Sequence, residues 1–87
     1  MRVEEAFPQR LKAAMDRKGM NKSQLARAAG CSVHSICGYL LGENLPGAYI
    51  LAAIATEFGV SCDWLLGLDD TEPELLQKKR RKRVIDQ

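Results

Sequence analysis

Cys31, His34 and Cys37 carry the most versatile chemistry in this chain, two thiols and an imidazole in a C-x-x-H-x-x-C string. Zinc would accept all three. A closed structural zinc site needs four ligands, however, and no fourth stands at a sensible spacing. Cys31 is also required as filler in a tight corner between two helices. A Cys/His nucleophilic site needs a third group to orient the base and a cleft to hold a substrate, and 87 residues with no such partner in sequence supply neither. No metal, cofactor or small-molecule substrate is expected, and no enzymatic activity. With Cys62 the cysteines number three, an odd count without framework spacing, which reads as reduced, packed thiols.

The remaining chemistry is cationic and unevenly placed. Lys78, Lys79, Arg80, Arg81, Lys82 and Arg83 supply six of the thirteen basic residues. The rest of the chain then has seven basic against eleven acidic residues, a net charge of −4, and residues 28–77 contain no Lys or Arg. The overall charge of +2 therefore does not by itself identify a polyanionic partner.

The stretch that positions these groups is Lys22 to Leu41, KSQLARAAGCSVHSICGYLL. Asn21 suits a helix N-cap, and Leu25, Ala26 and Ala29 fall on one face of a helix from Lys22 to Ala29. Gly30 allows the positive φ of a sharp helix exit, and Ser32 can cap the next helix with its hydroxyl. Ile36 and Tyr39 return on the inner face of that helix, Val33 to Leu41, and Ala26 is small enough to let it approach. Two short helices crossing around a tight turn are the physical signature of a helix-turn-helix, whose second helix can lie in a DNA major groove.

The rest of the sequence supports this unit. Residues 1–6 read as a polar lead-in. Pro8 suits a first helical turn, and Phe7, Leu11, Ala14 and Met15 recur at helical spacing up to Lys18. A fourth helix is expected from Ala48 to Phe58, with Ile50, Leu51, Ile54, Ala55 and Phe58 inward, and a fifth from Cys62 to Leu66, capped by Ser61. Trp64 and Leu65 read as core. Residues 7–68 then form one small all-α domain, followed by an acidic linker and basic tail over 69–87. Six consecutive like charges disfavour a continuous helix there. No apolar run reaches membrane-spanning length and no secretory signal is present, so a cytoplasmic protein is expected.

Five helices with the helix-turn-helix at the second and third resemble the lambda-repressor-like domain of Cro/C1 or XRE type, known from phage repressors and many bacterial regulators. LKAAMDRKGMNKSQLARAAGCSVHSICGYLLGENLP resembles the family core, and AYILAAIATEFGVSCDWLLG its closing Gly-Val-Ser turn and Trp-Leu-Leu-Gly helix. The resemblance implies a bacterial or phage regulator that binds double-stranded DNA, expected as a homodimer. It places Lys22 at a phosphate-contacting position. Val33, His34 and Gly38 fall at positions facing base edges, with Ser35 and Cys37 beside them. Leu41 and Asn44 fall where the family usually has polar phosphate contacts.

The residue types fit this unevenly. A Lys at a helix N-terminus suits a phosphate, His and Ser can hydrogen-bond a base edge, and Val can meet a thymine methyl. The third helix nevertheless carries no cation, and Leu41 is apolar. Phosphate contacts are then expected from Arg10, Lys18, Arg27 and the Lys78–Arg83 run, the tail resembling a basic arm. The same charge-poor helix leaves open a helix-turn-helix used for protein contact, as in an antitoxin-like, accessory or antirepressor component. Tyr49, Val60 and Leu68 are candidates for a dimer surface.

Overall fold

The computed structural model describes residues 2–76, and in them five α-helices and one 3-10 turn follow in order: α1 (Val3–Lys18), α2 (Lys22–Ala29), α3 (Val33–Leu41), α4 (Ala48–Phe58), α5 (Cys62–Leu66) and the turn Glu74–Leu76. The four later helices have the bounds expected from the sequence. Their starts are fixed by side-chain caps where the sequence offers them. Asn21 Oδ1 accepts the Gln24 N–H at 2.8 Å, Ser32 Oγ the Ser35 N–H at 3.0 Å, and Ser61 Oγ the Trp64 N–H at 3.0 Å. Each such cap satisfies a donor that the helix itself leaves open, and is worth about 1 kcal/mol.

Helix α1 packs on α3 and α5, and α2 on α3 and α4, so the helix-turn-helix is held between the first and fourth helices. Phe7, Leu11, Leu25, Ile36, Ile54 and Leu65 are fully enclosed at the centre. Phe7 meets Tyr39 edge to face with ring centroids 6.1 Å apart, fixing α3 against α1.

Three expectations change at the edges of the domain. Helix α1 begins at Val3, five residues before Pro8, and Pro8 lies inside it. Proline there loses the helical bond to the Glu4 carbonyl and crowds that carbonyl with its ring, while the early start puts Ala6 into the core with no exposed surface. Ala6 sits under α5 at Gly67: a Cβ on Gly67 would lie 2.5 Å from that of Ala6, and Gly67 has φ +83°. At the other end, the acidic linker folds back along α1. Leu75 and Leu76 are half-buried against the core, and Arg17 Nε donates to the Leu75 carbonyl at 3.2 Å. The packed unit thus runs through Leu76. Val60, finally, is half-buried against the core, whereas Tyr49 and Leu68 are exposed.

Candidate nucleic-acid interface

The corner between α2 and α3 is built as its sequence requires. Gly30 exits α2 at φ +78°, its N–H and that of Cys31 both reaching the Ala26 carbonyl at 2.9 and 3.0 Å. Leu25, Ala26, Ala29, Ile36 and Tyr39 are all buried. Cys31 packs half-buried against them, and its burial pushes the thiol pKa up, so it is a filler and a poor nucleophile. Cys31, Cys37 and Cys62 are free thiols. Among the described residues no three His, Cys, Asp or Glu side chains gather where a metal ion could be held.

With Ile36 and Tyr39 turned inward, α3 presents His34, Cys37 and Leu41 on its outer side, His34 and Leu41 exposed and Cys37 half-buried. Leu41 is 71% exposed and Val33, at the first turn, 41%. Ser35 lies elsewhere. It is half-buried and receives a hydrogen bond from the Ser32 hydroxyl at 3.0 Å. Its side chain, expected from its position beside the base-facing residues, is engaged by the cap residue of its own helix. Burial holds the Tyr39 hydroxyl above its ordinary pKa, the neighbouring Cys31 adds to this, and Ser35 works against it. Gly38 is on the outer side but buried, because the Asn44 side chain lies over it.

The basic residues of the described chain divide into two groups. Arg10 is 20% exposed and fully engaged. Its Nη1 donates to the carbonyls of Trp64 and Asp69, both at 2.8 Å, its Nη2 to Asp70 Oδ1 at 2.6 Å, and its guanidinium lies 5.1 Å from the Trp64 ring centroid. Arg10, expected from the sequence at a phosphate, thus has both terminal guanidinium nitrogens engaged by internal partners. Arg2 pairs with Glu4, Lys12 with Asp16, and Lys18 with Glu57. Lys22 and Arg27 are exposed and, among the described residues, make no hydrogen bond or ion pair. Both are on α2. Lys22 and Val33 share the rim of an open groove of about 770 Å³ between α1, α2 and α3. Lys78, Lys79, Arg80 and Arg81 lie outside the described residues.

Sequence reasoning missed two arrangements. The Arg10 clasp joins residues 54–60 positions apart, which no periodicity reveals. The cover over Gly38 depends on the turn after α3, where the Glu43 N–H reaches the Gly38 carbonyl at 2.9 Å.

A capped helix, a glycine corner and a second helix with a solvated face, set between α1 and α4, define a helix-turn-helix domain of lambda-repressor-like architecture. A family model described as "Helix-turn-helix" matches residues 11–65, and the chain belongs to this family, the Cro/C1 or XRE type of DNA-binding regulator. Comparison with curated proteins and with solved structures finds no match. The family is regulatory and not typically enzymatic. Among the described residues no helix is long and apolar enough to cross a membrane.

Proposed function

We propose that this chain is a sequence-specific transcriptional regulator of bacterial or phage repressor type, acting as a homodimer with α3 in the major groove of double-stranded DNA. The observation that carries this reading is the division of cations: among the described residues the two basic side chains without internal partners, Lys22 and Arg27, both lie on α2, the helix packed against α3. Lys22 begins α2, where its ammonium adds to backbone N–H groups that the helix leaves open, a combination suited to a phosphate. Arg27 and the Lys78–Arg81 segment add further backbone contacts. Val33 and His34 meet base edges, Val33 through a thymine methyl and His34 through a hydrogen bond. Two copies associate through α4 and the end of α5, where Tyr49 is 82% exposed and Leu68, two residues past α5, 69%. Such a dimer would set its two α3 helices about one DNA turn apart on a near-palindromic site.

The test is binding of the full chain to its own upstream region and to random duplex at two salt concentrations. A dimer using only Lys22 and Arg27 gives a log–log salt slope of about −3.6, and contacts from the tail make it steeper. Absence of binding at low salt overturns the proposal. A second reading has its own support. Leu41 and Val33 expose apolar surface on a helix without a cation, as a helix-turn-helix used for protein contact would. Salt-insensitive capture of a protein encoded beside this one, with no affinity for DNA, selects that reading.

A further inference from the structure

The side chain over Gly38 gives α3 a functional group that its own sequence lacks. Gly42 reverses the chain after α3 at φ +77°, and the N–H groups of Glu43 and Asn44 lie 2.9 and 3.4 Å from the Gly38 carbonyl. This turn lays Asn44 back on the helix. A Cβ at position 38 would stand 2.6 Å from Asn44 Nδ2, 3.7 Å from its Cγ and 3.9 Å from its Cβ. The carboxamide thus fills the space in which a side chain at position 38 would begin. Position 38 is one turn beyond exposed His34 and one turn before exposed Leu41, so the amide joins the outer row of the helix. Asn44 itself is exposed, and the described structure gives its side chain no hydrogen bond.

We propose that Asn44 is a base-specifying residue, its carboxamide standing in for the missing side chain of Gly38 and reading adenine in the major groove. A carboxamide presents an amide N–H and a carbonyl oxygen side by side in a plane, the oxygen accepting from the N6 amino group of adenine and the N–H donating to its N7, a pair that no other base offers in the major groove. Gly38 is required because any Cβ there would displace the amide. This assignment rests on the DNA-binding reading above, and it replaces the phosphate contact that the position of Asn44 in the sequence suggests.

The experiment is selection of preferred sites from a randomised duplex library by the full chain and its Asn44→Ala and Gly38→Ala variants. Affinities are then measured on the selected duplex and on its single-base-pair variants. Gly38→Ala should keep the fold, since alanine is the better helix former and the obstructing atom is the free end of a flexible side chain. Circular dichroism and thermal unfolding check this for both variants. The expected result is one adenine per half-site preferred about 5- to 150-fold by the wild type, with that preference lost in both single variants. The double variant should show no further loss. Equal weakening on all sequences in Asn44→Ala makes Asn44 a phosphate contact and overturns the proposal. Retained adenine preference in Gly38→Ala overturns the part assigned to Gly38. If the wild type binds no duplex at low salt, the DNA-binding reading itself fails. Binding without an adenine preference removes only the assignment of Asn44.

Discussion

Arg10, on the side of the molecule where α1 meets α5, donates to two carbonyls and a carboxylate and lies over Trp64, whereas Lys22 and Arg27 on α2 donate to no described residue. Lysines and arginines that look alike in the sequence thus have opposite roles. On the α5 side the cation is enclosed by groups the chain itself provides, and its removal should be felt as lost stability. On the α2–α3 side the cations face solvent, and their removal should be felt only when an anion is present. Basic residues in a small DNA-binding domain therefore count toward affinity only after those with internal partners are set aside.

The largest expected effect belongs to the α1–α5 contact. Gly67→Ala forces a Cβ against that of Ala6 at a positive φ, and should destabilise the domain by about 2–4 kcal/mol in urea unfolding. Arg10→Ala should follow with about 2 kcal/mol, because it takes the donor from the Asp69 carbonyl, leaves the Trp64 carbonyl with the Gly67 N–H alone, and removes the contact with the Trp64 ring. DNA affinity of the folded protein should stay unchanged in both. If Arg10→Ala instead left stability intact and weakened DNA binding, the contrast between the two regions would collapse. Lys22→Ala should show the reverse pattern, with stability within about 0.5 kcal/mol of wild type. Its affinity for every duplex should fall about eightfold per protomer at ~0.1 M salt, and the salt slope should become shallower, as titrations by fluorescence anisotropy would show.

The smallest effect is a pH dependence on the α5 side. The Thr71 N–H, 2.9 Å from Asp69 Oδ1, holds the Asp69 carboxyl below the usual aspartate range, and the Arg10 charge adds to this. A lowered folded pKa means that the carboxylate contributes stability above its ordinary value near 3.8, and that this is lost as pH falls from there through the lower folded value. Asp69→Asn should flatten that acid limb in thermal scans between about pH 5 and 2. An identical limb in the variant would mean that other carboxylates set it.

The helix-turn-helix was legible because its determinants are local. Asn21 and Ser32 cap within three residues, Gly30 ends α2, and the 3.6-residue period puts Leu25, Ala26, Ile36 and Tyr39 inside. The start of α1 was not, since Pro8 fits a first turn as well as an interior position whose one lost bond is tolerated. The role of Arg10 was hidden for a different reason. Its partners, Trp64, Asp69 and Asp70, are brought to it only when the whole chain has folded. On α3 the period correctly turned His34 outward but could not show that Ser35 is engaged by Ser32, or that Asn44 covers Gly38. Both depend on side-chain directions that residue type and spacing leave free.

The Arg10 clasp also decides how far the polypeptide can be shortened. A fragment ending at Leu68 keeps all five helices but strands the guanidinium beside Trp64 with one carbonyl left to receive it. It also uncovers the α1 surface on which Leu75 and Leu76 rest. A piece that keeps both contacts therefore runs at least through Leu76, ten residues past the last α-helix.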